Sequence, residues 1–337
     1  MKKILCIDAS SLKKTSCGRK FFLSVSEGYR NKKDNNQLLY GTCFHKCAEA
    51  MALGLSEMDA YQAAMKKWDD DIGECEIKYT AKYLDRDHLS GTLMKFFMES
   101  KCNDILTKRK CLNVNGQTLA ECKFSIPVYS SDEVDVLVQG TMDGIFQMEN
   151  GTICIGDWKT TTAKDPEGFF YGFKLSTQLR MYRWAIDWYI EHYPESPFAL
   201  AFKGQDKVGA FIFGVFLNSK EPAQFRSSQI FNFSKDNMKE FSEMLDDAIE
   251  EVVHNWIRFR DTGLYPSPEG IINNSCQEAF GSSCPYYHAC SSSVGMNAGE
   301  DSHGLFEAVL RNNFVKKDYR PLTFGGGDKE NKQNEKS

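Results

Sequence analysis

Apolar and polar residues alternate along the middle of the chain with the period of two that is typical of β-strands. Val134, Val136 and Val138 occupy every second position, and Ile153 and Ile155 resume the pattern after a short break. Because successive side chains of a strand point to opposite faces, this alternation predicts strands with one buried face. The predicted strands span residues 119–128, 134–148, 152–158, 209–217 and 225–233.

Apolar residues at helical spacing precede, interrupt and follow these strands. Ser56 and Asp59 have the spacing of a helix-capping pair, and an apolar stripe runs from Leu175 to His192. The order of elements predicts an α/β protein of the α+β type, in which helices flank a mixed sheet. The predicted helices span residues 9–24, 42–55, 56–68, 85–108, 175–192 and 235–259, with a polar, basic loop at 31–37.

The segment Glu149-Asn150-Gly151 is a strong turn signal between two predicted strands. A two-residue Asn-Gly turn would place Asp143 opposite Trp158. A three-residue loop with Gly151 in the left-handed conformation would instead place Asp143 opposite Asp157. Two carboxylates that face each other across a ladder repel unless a cation lies between them. The register therefore bears on whether this hairpin binds a metal.

The same hairpin carries side chains suited to hydrolysis. Asp157 and Lys159 are two positions apart on one predicted strand and therefore point to the same face. With Asp143 they provide two carboxylates and an ammonium group. Such a set can hold a hard divalent cation beside an attacking water, which indicates a hydrolytic site.

Composition narrows the class of protein. The chain has 337 residues and a formal net charge of −5, which excludes a uniformly basic surface but leaves room for a local basic groove. We expect no membrane span, since no apolar run is long enough, and no signal peptide, since Asp8 interrupts the N-terminal apolar stretch. Twelve cysteines with few regular spacings favour a reducing compartment, so we expect an intracellular, cytoplasmic protein. The single-domain size and the lack of a helicase motif suit a prokaryotic or phage-infected cell.

Four ordered motifs resemble the PD-(D/E)XK nuclease superfamily, and in particular the RecB/AddB-type exonucleases and the iron–sulfur nucleases of CRISPR adaptation. The resemblance runs from about Ser10 to Cys290. It rests on His45, on Gly140-x-x-Asp143, on Asp157-x-Lys159-Thr160 and on Gln178-x-x-x-Tyr182. It implies a restriction-endonuclease-like mixed sheet flanked by helices. With a metal in the site, we expect Asp143 to lie opposite Asp157.

The resemblance also implies a division of the chain into functional parts. A single nuclease domain is expected over residues 1–300, with a helical insertion at about 40–112, a catalytic sheet core at about 115–260 and a cysteine-rich closure at 264–295. Residues 301–337 would form a tail. Its polar end, from Gly325 to Ser337, is predicted to be disordered.

The family's site residues map onto this chain as metal ligands. The resemblance implies that His45, Asp143, Asp157 and the main-chain carbonyl of Trp158 bind Mg²⁺ or Mn²⁺. Glu121, on the preceding strand, either faces the same metal or lies on the solvent side. Glu49, one turn after His45, is either a supporting partner or a solvated carboxylate.

The remaining motif residues are expected to act on the water and the substrate. Lys159 would orient the attacking water and offset the charge of the transition state. Gln178 and Tyr182 lie one helical turn apart on the same face. In the family such residues brace the site and contact the nucleic-acid backbone, although Tyr182 also fits a plain core position.

Four cysteines resemble the iron–sulfur staple of the related nucleases, in which one N-terminal thiol joins three C-terminal ones. They are Cys17, Cys276, Cys284 and Cys290. Four thiolates suit a [4Fe–4S] cluster. Zinc is the chemical alternative, although the C-x₂₋₄-C knuckle of most zinc sites is missing, and the remaining alternative is four unrelated buried thiols.

The sequence therefore predicts a metal-dependent DNA exonuclease that acts on single strands or DNA ends in replication, recombination or repair. An endonuclease of the same superfamily and a noncatalytic DNA-binding scaffold are the alternatives. No G-x-x-x-x-G-K-[S/T] loop is present, so strand separation would need a separate helicase or recombination protein.

Overall fold

A computed structural model describes residues 2–74, 76–78, 81–102, 109–205, 208–220, 223–268, 276, 284–292, 302–316 and 322. These residues form two compact units, each made of several chain segments. The first unit contains Met1–Lys32, Ser125–Gly140 and Lys239–Leu322. The second contains Lys33–Phe124 and Thr141–Met238.

The strands are β1 Lys3–Ile7, β2 Tyr29–Asn31, β3 Lys33–Asn35, β4 Glu76–Lys78, β5 Arg109–Cys111, β6 Asn113–Val114, β7 Gln117–Thr118, β8 Ala120–Ser130, β9 Val134–Met148, β10 Ile153–Thr161, β11 Gly209–Phe216, β12 Gln224–Ser227, β13 Phe231–Asn232 and β14 Phe314–Lys316. The helices are α1 Ala9–Leu12, α2 Gly18–Val25, α3 Asn36–Ala52, α4 Glu57–Glu74, α5 Arg86–Cys102, α6 Pro166–Tyr171, α7 Thr177–His192, α8 Pro197–Ala201, α9 Lys235–Thr262, α10 Tyr287–Ser292 and α11 Ser302–Asn313.

A mixed sheet forms the centre of the second unit, as the sequence predicts. Its strands lie in the order β9, β10, β11 and β12, and only the pairing of β10 with β11 is parallel among these neighbours. Strands β5 and β13 add antiparallel pairings to β9 and β11. All eight residues of β11 are buried, which explains why its sequence is a continuous apolar run rather than an alternating one.

The hairpin of β9 and β10 has the three-residue loop that places the two candidate aspartates opposite each other. Gly151 has φ of 83°, a left-handed conformation that glycine adopts without steric cost. The Met148 amide donates to the Thr152 carbonyl at 2.8 Å, which closes the loop. Gly144 pairs with Gly156, so the next pair in this register is Asp143 with Asp157. This part of the prediction is confirmed.

Aromatic packing fixes one face of this sheet against helices α3 and α5. The Trp158 ring stacks on Phe213 with 4.0 Å between centroids, and Phe44 and Phe96 contact the same indole at 5.7 and 5.5 Å. Phe146 lies farther along the sheet, above glycines that leave room for its ring. The neighbours of Trp158 on its own strand, Asp157 and Lys159, therefore point to the opposite face.

The first unit departs from the predicted N-terminal helix. The chain begins with β1, which pairs in parallel with Val134–Val138 of β9. The predicted helix over 9–24 is two helices, because Asp8 caps α1 and extended backbone at Cys17 separates α1 from α2. Strand β1 was missed because its pairing partner is more than a hundred residues away in the chain.

Two other boundaries differ for local reasons. Helix α3 begins at Asn36 rather than 42, because the Asn35 side chain accepts a hydrogen bond from the Leu38 amide at 2.8 Å. The predicted strand over 225–233 is interrupted, since Ser228 exchanges hydrogen bonds with Ile212 through its side chain and its amide. The end of the predicted helix at 103–108 and the polar end at 323–337 lie outside the described residues.

The chain's C-terminal part packs inside the first unit. Strand β14 pairs antiparallel with β2, and Phe314 stacks on Tyr286 with 4.9 Å between centroids. Helix α11 contributes Phe306 and Leu310 to the same apolar cluster. Across the described ranges, every helix is too short or too polar to cross a membrane.

We predict that Gly156→Ala destabilises the protein by about 1–3 kcal/mol, because a Cβ at this position would lie 2.6 Å from the Phe146 ring and 2.7 Å from Phe211. Gly91→Ala is the matched control, since its helical Cβ would meet nothing within 4 Å. The control should leave stability unchanged or raise it by up to about 1 kcal/mol. Urea unfolding followed by tryptophan fluorescence measures both changes, and equal midpoints for the two variants would contradict the packing described here.

Candidate active site

The candidate site is built on neighbouring strands of the second unit. Asp143 lies on β9, and Asp157 and Lys159 lie on β10. The Trp158 amide donates to Oδ2 of Asp143 at 2.6 Å, which ties the first carboxylate to the neighbouring strand. The hairpin register therefore brings both predicted carboxylates to one place.

His45 reaches this place from helix α3. Its Nδ1 lies 3.3 Å from Oδ2 of Asp143. The preceding residue, Phe44, is fully buried and packs against Trp158, so α3 is anchored at the position next to His45. The predicted histidine and the predicted first aspartate are thus in direct contact.

Glu121 completes a group of three side chains that can bind one metal ion. Ligand atoms of His45, Glu121 and Asp143 all lie within 4.8 Å of one another. Glu121 has φ of 47°, a conformation that residues other than glycine rarely adopt. Its carboxyl group faces the site rather than solvent, so the alternation of β8 alone did not reveal its orientation.

Asp157 is the most enclosed member of the site. Its side chain is 1% exposed, and Oδ2 forms an ion pair with Nζ of Lys159. The Lys159 ammonium also donates to the Trp158 carbonyl at 3.2 Å. The predicted lysine, the second aspartate and the carbonyl proposed as a ligand are therefore adjacent.

Helix α7 supports Asp157 through two polar side chains. Nε2 of Gln178 donates to Oδ1 of Asp157 at 3.1 Å and to the Tyr182 hydroxyl at 2.6 Å. The Tyr182 hydroxyl donates to the main-chain carbonyl of Thr141 at 2.7 Å, although the ring is 3% exposed. Tyr182 is thus both a core residue and a polar brace, and the Thr141 carbonyl is a partner that the sequence did not reveal.

The electrostatics of the site follow from crowding of carboxylates in a buried place. Burial raises the pKa of Asp157, and Lys159 only partly opposes that effect. Burial acts in the same direction on Asp143, but His45 and Lys159 outweigh it and lower the pKa of Asp143. Burial, followed by the nearby Asp143 and Glu49, raises the pKa of Glu121 to about 7.

These donors fit a hard divalent ion. The group offers carboxylate oxygens and one imidazole nitrogen, without a thiolate, and oxygen-rich sets of this kind suit Mg²⁺ and Mn²⁺. Three carboxyl groups around one place also repel one another, and a cation would relieve that repulsion. The chemistry of the residues present therefore matches the predicted metal.

An open cleft of about 710 Å³ leads to the metal-binding group. Residues of α3, among them His45, line this cleft together with Asp143 and Lys159. Lys46 and Glu49 also line the cleft and form an ion pair at 2.6 Å. Glu49 is therefore a supporting charge beside Glu121, and Lys46 is a cleft residue that sequence reasoning missed.

The four predicted cluster cysteines all belong to the first unit. Cys17 and Cys284 are buried, and the Cys284 amide donates to the Cys276 carbonyl at 2.9 Å. Burial and the nearby Cys17 raise the pKa of Cys276. Burial also raises the pKa of Cys290, although Arg19 opposes this effect. Within the described ranges the four thiols do not form a compact single-ion group like that of His45, Glu121 and Asp143.

The chain was compared with known protein families, curated proteins and solved structures. The sequence model of the PD-(D/E)XK nuclease superfamily matches residues 10–291, which is most of the chain. No curated protein matches the sequence. Among solved structures, a candidate exonuclease from Eubacterium rectale shares 11% identity over 78% of this chain and 84% of its own, with a TM-score of 0.43.

A second solved structure, the protein named SSO0001, shares 11% identity over 72% of this chain and 84% of its own, with a TM-score of 0.25. Both TM-scores are too low to establish a shared fold. The family match and the geometry of the site therefore carry the functional argument.

We predict that Asp143→Asn weakens Mn²⁺ binding by at least about 100-fold, more than the roughly 10–100-fold effect of residues that only support a ligand. Asp135→Asn on the same strand is the control, because Asp135 pairs with Lys2 outside this site. Electron paramagnetic resonance of free Mn²⁺ measures the affinity. Equal affinities for the two variants would show that Asp143 is not a ligand.

Proposed function

Because the chain belongs to the PD-(D/E)XK nuclease superfamily, we propose that it is a metal-dependent exonuclease that hydrolyses phosphodiester bonds of single-stranded DNA or DNA ends. The proposed setting is replication, recombination or repair, with a separate helicase or recombination protein for strand separation. The observation that carries the proposal is the convergence of His45, Asp143 and Lys159 in one open cleft. Asp157 is buried beneath this cleft, where it pairs with Lys159.

His45, Asp143 and Asp157 are the proposed metal ligands, together with the Trp158 carbonyl and Glu121. When bound, Mg²⁺ or Mn²⁺ would polarise the phosphodiester and lower the pKa of a coordinated water. The contact between His45 and Asp143 and the bond from the Trp158 amide to Asp143 hold the first carboxylate in place. A preorganised carboxylate loses little freedom on binding the ion.

Lys159 is the proposed water-orienting residue. Its ammonium group contacts the Asp157 carboxylate and the Trp158 carbonyl, so its position is fixed before substrate arrives. A fixed positive charge at this place would offset the negative charge that grows on the phosphate oxygens during water attack. The ammonium group can also hold the attacking water by a hydrogen bond.

Gln178 and Tyr182 are proposed as positioning residues. Gln178 bridges Asp157 and Tyr182, and Tyr182 connects this pair to the Thr141 carbonyl two residues before Asp143. This chain of hydrogen bonds links the two strands behind the carboxylates. It keeps Asp157 oriented, so that the loss of either side chain would disturb the site without removing a ligand.

We predict that Lys159→Ala and Asp157→Ala each lower DNA cleavage by at least about 100–1000-fold, which is the usual effect of removing a charge that stabilises the transition state. Lys239→Ala is the control, because the Lys239 side chain is 78% exposed and pairs with Glu243 on helix α9. The assay uses end-labelled single-stranded and double-stranded DNA with Mg²⁺, with Mn²⁺, or with a chelator.

Several outcomes separate the proposal from its rivals. Cleavage that needs a free end and releases mononucleotides or short products supports the exonuclease, whereas cutting of circular single strands would identify an endonuclease. Undiminished cleavage by both variants would show that Lys159 and Asp157 are not part of the active site. Absence of cleavage by the wild-type protein, with retained DNA binding, would identify a scaffold.

We also propose that Cys17, Cys276, Cys284 and Cys290 hold a [4Fe–4S] cluster, with zinc as the chemical alternative. In support, all four thiols lie in one unit, and Cys17 and Cys276 influence the pKa of Cys290. A four-iron cluster holds its thiolates farther apart than a single ion does. All ten cysteines whose side chains are described are free of disulfide bonds, so their thiols can act as ligands.

We predict that protein purified without oxygen contains about four iron and four sulfide ions per chain and is brown. Cys290→Ser should lose most of both, whereas Cys111→Ser, a half-buried thiol of the second unit, should retain them. Metal analysis and acid-labile sulfide determination measure the content. A colourless protein that contains zinc would overturn the iron–sulfur assignment.

A further inference from the structure

The segment between Lys159 and Gln178 carries an unusual pair of exposed apolar side chains. Leu175 is 70% exposed and Tyr171 is 68% exposed. Among the large apolar side chains that the structure describes, these two are the most exposed. They lie four residues apart, at the end of α6 and in the turn that leads into α7. Two such exposed apolar side chains close together in the chain provide area for contact with a partner.

Aromatic side chains on the inner side of helix α6 hold this helix beside Lys159, the proposed catalytic lysine. Phe169 and Phe170 contact the Phe216 ring, with centroids 5.3 and 5.7 Å away. The Phe170 ring also lies 3.0 Å from the position that a Cβ of Gly214 would take. In the parallel register of β10 and β11, Gly214 pairs with Lys159. Paired residues of neighbouring strands point to the same face, so α6 lies on the face of the sheet that carries Lys159.

The turn that presents Tyr171 and Leu175 is held by its own hydrogen bonds. The Lys174 amide donates to the Tyr171 carbonyl at 3.1 Å, and the Ser176 amide donates to Phe173 at 3.0 Å. A guanidinium nitrogen of Arg180 donates to the Leu175 carbonyl at 3.1 Å. The exposed side chains therefore stand on a backbone that is already ordered, which lowers the entropy lost on binding a partner.

The charges around these side chains suit an anionic partner. Nζ of Lys174 lies 4.4 Å from the centroid of the Tyr171 ring, and Lys164 precedes α6 on the same segment. The Asp165 carboxylate is turned onto the α6 N-terminus, where it accepts a hydrogen bond from the Glu167 amide at 3.1 Å. Glu167 is the one exposed acidic group on this short helix.

We propose that Tyr171, Lys174 and Leu175 form a platform on which a base of the cleaved strand stacks while its phosphates continue to the metal-binding cleft. The proposal rests on the proposed nuclease function and names single-stranded DNA as the occupant. Every base has a face that an aromatic ring can stack on, and the neighbouring ammonium group suits the phosphate, so the platform would bind single strands without sequence preference. A duplex would hide its base faces from this surface.

Binding is tested in Ca²⁺, with fluorescein-labelled oligothymidylate and a matched oligonucleotide that lacks bases. Tyr171→Ala should weaken binding of the oligothymidylate about tenfold, equivalent to about 1.4 kcal/mol, while binding of the abasic strand stays unchanged. Tyr171→Phe should bind as the wild type does, because the ring remains. Tyr193→Ala is the matched control, since Tyr193 is 57% exposed and follows the far end of α7.

In cleavage assays with Mg²⁺, Tyr171→Ala should raise KM for single-stranded DNA by a similar factor and leave kcat nearly unchanged. Equal binding by Tyr171→Ala and the wild type, with cleavage intact, would overturn the platform and leave the nuclease function standing. Equal loss for the oligothymidylate and the abasic strand would also overturn it, since stacking needs bases.

A wild-type protein that neither binds nor cleaves DNA would overturn the nuclease function and the platform together. A Tyr171→Ala variant that changes the oligomeric state in analytical ultracentrifugation, with unchanged DNA binding, would show that a second copy of the chain covers this surface. That result would overturn the platform alone.

Discussion

Asp143 and Asp157 lie opposite each other because the loop between their strands has three residues and not two. Gly151 makes this possible, since its φ of 83° is costly for residues with a side chain. A shift of one residue would place Trp158 opposite Asp143 and turn every side chain of β10 to the other face. The aromatic core and the site would then both be lost, so the register determines them together.

The two faces of β10 carry side chains of opposite character, aromatic on one face and charged on the other, and the packing of the first stabilises the second. Trp158 is stacked on Phe213 and enclosed by Phe44 and Phe96, which anchors the strand from the core side. On the other side, the buried Asp157 carboxylate pairs with the partly exposed Lys159 ammonium group, and the desolvation of Asp157 is unfavourable. Packing on the Trp158 face stabilises a strand that carries this unfavourable arrangement. An ion bound at the carboxylates would offset part of the remaining repulsion.

The polar groups behind the site form an ordered scaffold rather than a loose shell. Gln178 and Tyr182 connect Asp157 with the backbone near Asp143. A movement of α7 would therefore displace both carboxylates. Helix α3 brings His45 from the other side through the buried Phe44. The chain segment between Lys159 and α7 is held in place by Phe170, whose ring packs over Gly214. The elements that hold the ligands are thus also the elements that border the cleft.

Local sequence patterns predict much of this organisation. The alternation of Val134, Val136 and Val138 predicted a strand, and the spacing of Asp157 and Lys159 predicted a shared face, because both depend only on the period of a β-strand. The ordered motifs predicted a nuclease, and the family match confirms the superfamily. The three-residue loop was predicted because a metal site favours carboxylates that face each other, and the pairing of Gly144 with Gly156 confirms this loop.

Other features depend on contacts that no local pattern contains. Strand β1 exists because it pairs with a distant segment, and the orientation of Glu121 depends on a backbone conformation with φ of 47°. The exposure of Tyr171 and Leu175 is equally a tertiary property, since Phe169 and Phe170 in the same segment are turned inward. The sequence by itself determined which side chains are present and how they are spaced along each element. Only the tertiary structure decided which of them meet, because distance along the chain does not determine distance in space.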